Sequence, residues 1–282
     1  MTGIIDVGGG ARGIYGAGVL DRCMDEGIRF DVCVGVSAGS ANLAAFLAGQ
    51  RGRNYRFYAE YAARPEYMGP RTLLRTGEYI DLSYVYGTLS NEGGEAPLDR
   101  GALMRAPAAL FLTATDAATG AAVYFPKETL RPNDYRALSA SCAMPVACRP
   151  QELDGRRYYD GGLADPVPVE KALSLGCDRI ALILTRPLSF TGGSRADLLA
   201  ARLMEKTAPA IAALLRDRGR RYRAGVALAL RLREEGRCLI LAPDDVCGAG
   251  TVTKDPEKLR RLYLKGYRDA RVLAFGAVRS EF

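Results

Sequence analysis

The chain of 282 residues contains no histidine. That absence removes every site built on an imidazole, among them the Ser-His-Asp triad, the Cys-His dyad, the HExxH zinc helix and the facial-triad iron centre. Any nucleophile here must be activated by another group. The seven cysteines are scattered and none forms a CxxC pair, so they read as reduced, mostly buried thiols of a cytosolic protein, and no metal or other cofactor is expected. No stretch approaches roughly 18 uninterrupted apolar residues, so no membrane-spanning helix is expected. The start, MTGIIDVGGG, lacks a basic region and a long apolar run, so a secretory leader is not expected either. The expected location is the cytoplasm, with peripheral membrane contact as a variant.

What is present describes a globular chain, 48% hydrophobic and 25% charged, with a net charge of +7. The positive excess is concentrated. Between Ser194 and Arg237, eleven Lys and Arg oppose five Asp and Glu, and Arg216, Arg218, Arg220, Arg221 and Arg223 cluster around Gly219. This segment, 194–237, reads either as the solvated face of two helices broken at Gly219 or as a dock for acidic lipid headgroups. No nucleic-acid-binding motif accompanies the charge, so nucleic acid is not an expected partner.

Periodicity alternates between two and 3.6 along the first fifty residues. Thr2–Val7 reads as a strand, Tyr15–Glu26 as a helix, Phe30–Val34 as a second strand and Ser37–Leu47 as a second helix, the βαβ pattern of a parallel sheet. Further strands are expected at Leu110–Thr115, Ala121–Phe125, Arg179–Thr185 and Cys238–Ala242. Helices are expected over Asp134–Ser141, Pro168–Leu175, Arg195–Arg216, Arg220–Glu235 and Asp255–Phe275. From Arg51 to about Arg100, Gly, Pro and Arg mix with eight aromatic residues; this segment either lines an apolar pocket over the sheet edge or is packed connecting chain. No linker is evident, and 1–282 reads as a single domain.

Two glycine motifs flank the second strand. Gly8-x-Gly10-x-x-Gly13 follows the first strand and opens a helix, so its backbone N–H groups could hold a pyrophosphate, hold an oxyanion, or simply form a tight turn. A dinucleotide site wants an acidic residue at the carboxyl end of the second strand. Asp31 stands at its start instead, and the carboxyl end carries Gly35-Val36-Ser37-Ala38-Gly39. That is G-x-S-x-G on a strand-to-helix turn, the nucleophile elbow, although Ser37 could also be a helix cap. Without imidazole, the base for Ser37 must be a carboxylate, a lysine or the amino terminus. Asp160, in Tyr159-Asp160-Gly161-Gly162, is the best-placed carboxylate; Asp116 is the runner-up, in what looks like a hairpin turn. Asp6 could orient the glycine loop.

Gly8-Gly9-Gly10-Ala11-Arg12-Gly13, Gly35-Val36-Ser37-Ala38-Gly39 and Asp160-Gly161-Gly162, in that order, resemble the patatin-like phospholipases. Ser139-Ala140-Ser141-Cys142-Ala143-Met144-Pro145 also resembles a stretch of that family. The likeness covers roughly residues 3–190; the extension, about 191–282, matches nothing recognisable. The resemblance implies a three-layer α/β/α sandwich with a mostly parallel sheet. It implies Ser37 as nucleophile, Asp160 as proton acceptor, and an oxyanion hole made by the N–H groups of Gly8, Gly9 and Gly10. Arg12 and Gly13 would position the loop or a phosphate. A lipid acyl hydrolase is the reading adopted, with an acyltransferase using the same dyad as a variant. A dinucleotide-binding oxidoreductase and a catalytically silent interaction protein are the competing classes.

Overall fold

The computed structural model describes residues 1–273. Strand β1 (Thr2–Asp6) runs through the glycine loop into α1 (Ile14–Asp25). Strand β2 (Val32–Val36) turns sharply into α2 (Ala38–Leu47). Short helices α3 (Arg53–Ala59), α4 (Pro70–Thr76) and α5 (Arg100–Arg105) lead to the hairpin β3 (Ala109–Asp116) and β4 (Ala122–Pro126). Then come α6 (Arg136–Cys142), the hairpin β5 (Gln151–Leu153) and β6 (Arg156–Asp160), α7 (Val169–Ser174) and β7 (Arg179–Ile183). The chain continues through α8 (Arg195–Met204), α9 (Pro209–Glu234), β8 (Cys238–Leu241) and α10 (Pro256–Asp269).

The strands form one sheet in the order β5-β6-β3-β2-β1-β7-β8, with β4 also on β3. The neighbours β3, β2, β1, β7 and β8 are parallel; β4, β5 and β6 pair antiparallel. Alternate side chains of the central strands enter opposite cores, as the pleat requires. Ile4, Cys33 and Leu110 pack with residues of α1, α2, α6 and α10 on one face. Ile5, Val34 and Leu182 pack with Val169 and Ala172 of α7 and Val226, Ala229 and Leu232 of α9 on the other. The fold is a three-layer α/β/α sandwich.

Several boundaries differ from expectation. The second strand begins at Val32, two residues late, because Phe30 leaves the ladder to pack on Phe46 and Asp31 instead accepts hydrogen bonds from the N–H and hydroxyl of Thr2. The long helix divides before Pro209, not at Gly219. Pro disfavours helical geometry in the residue before it and starts helices readily; Ala208 is extended, with φ −151°, and Pro209 begins α9. Gly219 lies within α9, where the backbone of Gly192 passes so close that a Cβ would stand 3.1 Å from its carbonyl carbon. The last helix stops at Asp269; the expected end at Phe275 lies outside the described residues.

Helix α10 is tied to α1. Tyr15 donates to Asp269 at 2.8 Å, Tyr263 to Asp21 at 2.7 Å and Tyr267 to Asp25 at 2.8 Å. The two backbones approach closely enough that a methyl at Gly266 would overlap the carbonyl of Tyr15. Gly266→Ala should therefore destabilise the protein by about 2 kcal/mol, the scale of overpacking. Urea denaturation followed by circular dichroism measures this; an unchanged midpoint would show that α10 is not held against α1 at this contact.

Candidate active site

Ser37 follows β2 directly, at φ 55° and ψ −132°. Such a backbone costs about 1–3 kcal/mol for a residue with a side chain and persists only where its surroundings hold it. Here they do. A methyl at Gly35 would overlap the backbone of Ser40, and one at Gly39 the carbonyl of Asp6, so only glycines let the turn close this tightly. The Ser37 N–H donates to Ser141 Oγ at 3.0 Å, and the hydroxyls of Ser141 and Ser40 are 2.7 Å apart. The Ser37 hydroxyl makes no capping bond to α2.

Sheet register brings Asp160 to the same place. Val36 pairs with Thr113 of β3, and Asp160 pairs with the next residue, Ala114. Strand β4 occupies the other edge of β3 over Phe111–Thr115, so β2 and β6 share one edge and meet end to end at their carboxyl termini. Gly161 follows where a side chain would strike the Thr113 carbonyl. Asp160 is buried, and loss of hydration pushes its carboxyl above the ordinary carboxylate range; the Ser37 hydroxyl, Arg218 and the Gly162 N–H, 2.8 Å from Oδ1, oppose the rise. The Ser37 hydroxyl and the Asp160 carboxyl line one cleft at this junction. Asp116 is engaged elsewhere, its Oδ1 accepting from the N–H groups of Ala118 and Thr119 in the β3–β4 turn.

The glycine loop lies across this junction with Gly8, Gly9 and Gly10 all at positive φ, backbone that glycine adopts without strain. Gly8 departs from the expected arrangement. Its N–H donates to Asp6 Oδ1 at 2.9 Å and its carbonyl accepts from the Thr185 hydroxyl, so it is not free to serve an oxyanion. The N–H groups of Gly9 and Gly10 have no partner among the described hydrogen bonds. Asp6 organises the loop: it is fully buried, pushed up to about 6 by desolvation, and its carboxyl also accepts from Asn42 Nδ2 at 2.9 Å. Asn42 in turn donates to the Gly13 carbonyl at 2.9 Å and accepts from Tyr58. At the far side of the loop, the Ala11 N–H donates to the Thr251 carbonyl at 2.8 Å and Arg12 Nη1 to the Thr251 hydroxyl at 3.1 Å.

Two cavities meet at Ser37. One, of about 300 Å3, is lined by Gly8–Gly10, Arg12, Ser37, Asp160, Gly162, Arg186 and Arg218. The other, of about 80 Å3, is apolar and walled by Phe57, Tyr58, Tyr67, Met68, Val85 and Tyr86. The aromatic segment therefore lines a pocket over the sheet edge. Asp31 sits at the opposite end of β2 from the loop, where it binds Thr2, which leaves no ribose partner beside the glycines.

An α/β/α sandwich with a serine elbow, a neighbouring aspartate and a glycine loop defines a class of hydrolase-like fold, and sequence comparison supplies the family. The patatin-like phospholipase model matches residues 7–173, more than half of the chain; the chain belongs to this family. A second model, a domain of unknown function (DUF6363), matches residues 208–273. The uncharacterized protein YjjU of Escherichia coli is 31% identical over 182 residues, covering 64% of this chain and 50% of that protein. An uncharacterized NTE family protein of Mycobacterium tuberculosis is 28% identical over 177 residues, covering 60% of this chain and 45% of that protein. This chain thus spans about half the length of the curated relatives it matches. The crystal structure of VipD from Legionella pneumophila aligns with a TM-score of 0.49 at 15% identity, over 96% of this chain and 66% of that one.

Several residues at the site carry no motif signal. Ser141, Thr185 and Thr251 brace the elbow and loop through one or two hydrogen bonds each, and Arg186 and Arg218 enter from beyond the last glycine motif. Ser141 lies in the Ser139–Pro145 stretch and Arg218 in the basic segment 194–237, but neither reads from sequence as part of the site. The electrostatics can be measured directly. Carbon-13 NMR titration of the Asp160 carboxyl should give a pKa above the ordinary 3.8, and Arg218→Gln, by removing a cation that favours the carboxylate, should raise it further. A value at or below 3.8, or a downward move in the variant, would contradict the burial and charge pattern described.

Proposed function

We propose that this protein is a serine acyl hydrolase that cleaves carboxylic esters of lipids, phospholipid or lysophospholipid, through Ser37 and Asp160. The observation that carries the reading is the convergence of a strained serine, a buried carboxyl and two uncommitted N–H groups at one sheet edge, in a chain without histidine. Ser37 Oγ attacks the ester carbonyl carbon while Asp160 accepts its proton. The carbonyl oxygen becomes an oxyanion held by Gly9 and Gly10 N–H, donors already oriented before reaction. Collapse returns the proton from Asp160 to the leaving alcohol and leaves an acyl-Ser37 ester. Asp160 then takes a proton from a water that attacks the acyl carbonyl carbon, and returns it to Ser37 Oγ as the Ser37–acyl bond breaks and the fatty acid leaves. The apolar pocket of Phe57, Tyr58, Tyr67, Val85 and Tyr86 suits the acyl chain, and the wider, charged cleft suits the rest of the lipid.

The raised Asp160 carboxyl fixes the sign of the pH dependence. The base works only as a carboxylate, so kcat/KM should fall as pH drops through a value above the ordinary Asp range, and stay high on the alkaline side. Ser37→Ala and Asp160→Asn should each lower p-nitrophenyl butyrate hydrolysis by about a thousandfold or more, with circular dichroism unchanged. A fluorophosphonate probe should attach to Ser37. Substantial activity in either variant, or labelling at another residue, would remove the dyad.

A lipid substrate also implies contact with a lipid surface. Helix α8 borders the wide cleft through Ala196 and Ala200 and exposes Leu198, Leu199 and Leu203 beside exposed Arg195, Arg202 and Lys206. An apolar face flanked by cations is the pattern of an interfacial helix. Part of the remaining positive segment is paired within the protein, as Arg216 with Glu205 and Arg220 with Asp217, and α8 is the part that joins exposed cations to an exposed apolar face beside the cleft. No helix among the described residues is long and apolar enough to cross a membrane. Sedimentation with vesicles should increase with anionic lipid content, weaken with salt, and fall when Leu198 and Leu199 are both changed to Ser; equal binding to neutral vesicles would show that charge takes no part.

A further inference from the structure

Three guanidinium groups converge in the wide cleft: Arg12 of the glycine loop, Arg186 just after β7, and Arg218 of α9. Arg12 is only 7% exposed, and its Nε is buried with no hydrogen-bond partner, while Nη1 reaches Thr251. Arg186 lies over the ring of Phe190 at 4.2 Å, and no hydrogen bond or ion pair to it occurs among the described residues. Arg218 donates through Nε to the Gly162 carbonyl at 3.2 Å and through Nη1 to Asp197 at 3.0 Å, leaving Nη2 uncommitted. The three charges act on one another. Arg12 is pushed down to about 10, by burial first and then by Arg186 and Arg218, and Arg186 is lowered by burial and Arg218. Against them stand two carboxylates, Asp160 and Asp197, so the cleft keeps an excess of one positive charge, and of two when Asp160 holds the proton.

Gathering like charges in a partly dry cleft is costly unless an anion joins them. The donors left over belong to planar guanidinium groups, whose paired N–H groups match phosphate oxygens. We propose that Arg12, Arg186 and Arg218 form a headgroup subsite for the phosphate of an anionic lipid, one that discriminates against zwitterionic headgroups. A choline or ethanolamine ammonium would bring a fourth cation among three. The inference rests on the ester-hydrolase reading for the identity of the ligand as a substrate; the anion site itself does not. It also gives the 208–273 segment a task, because Arg218 and the Arg12 partner Thr251 both come from it.

The test uses the full chain with Ser37→Ala, so that binding is read without turnover. Isothermal titration calorimetry should show lauroyl-lysophosphatidate binding about tenfold or more tighter than lauroyl-lysophosphatidylcholine, whose ammonium the three cations repel. Adding Arg186→Gln should weaken the anionic lipid about tenfold, Arg186→Lys should restore part of the loss, and Arg218→Gln should reproduce it. Inorganic phosphate should bind more weakly than the lipid. Equal affinity for the two lipids, an unchanged affinity in both Gln variants, or phosphate binding as tightly as lysophosphatidate would overturn the subsite. The two readings fail separately. If Ser37→Ala protein prefers the anionic lipid but wild type cleaves no ester, the hydrolase reading falls and the subsite stands. If wild type cleaves both lipids with equal kcat/KM, the subsite falls and the hydrolase stands.

Discussion

Two strands that end against each other on one edge of β3 determine the rest of this site. Because β2 runs parallel to β3 and β6 antiparallel, their carboxyl ends can occupy one edge only by meeting, and the register sets Val36 and Asp160 opposite successive residues, Thr113 and Ala114. The chain then has no room to leave gently. It turns at once into α2 through the strained Ser37 on one side and into the Gly161–Leu163 turn on the other. A side chain at Gly35, Gly39 or Gly161 would strike neighbouring backbone. The Ser37 and Asp160 side chains are positioned this way by backbone hydrogen bonds of the sheet, which suits a chain with no imidazole to orient.

The glycine loop depends on the same junction from the opposite direction. Asp6 ends β1, next to β2, and its buried carboxyl gathers the Gly8 N–H and the Asn42 amide. One carboxylate thereby ties the loop to the helix that Ser37 begins. Its cost is the burial that raises its pKa to about 6; its return is that the Gly9 and Gly10 donors are fixed in place. The C-terminal segment closes the far side through Thr251 and Arg218, while α10 lies on α1 and β8 extends the sheet. Residues 208–273 are built into the wall of the cleft.

The parallel sheet, the elbow and the glycine loop were legible from the order of strand, glycine and helix, because those motifs are local: each is a run of small residues imposed by a backbone that must bend or approach closely. The choice of Asp160 among the carboxylates leans on the family resemblance. What escaped notice is long-range or single-atom. The engagement of Gly8 by Asp6 depends on which way one N–H points. Arg218 and Thr251 reach the site from more than two hundred residues beyond the loop. The break before Pro209 follows a local rule, that of proline at a helix start, whereas Gly219 inside α9 answers to a tertiary contact, the close passage of Gly192. The aromatic segment from Arg51 to about Arg100 could be read as lining or as packing, and only the position of Tyr58, Tyr67 and Tyr86 against the serine decides between them.

The most direct measurement of the central claim is a crystal structure of the protein after reaction with an alkyl phosphonate, a mimic of the tetrahedral intermediate. The account predicts phosphorus bonded to Ser37 Oγ, the phosphonyl oxygen about 2.7–3.1 Å from the N–H groups of Gly9 and Gly10, and Asp160 beside the ester oxygen. An adduct on another residue, or a phosphonyl oxygen turned away from the glycine loop, would contradict it.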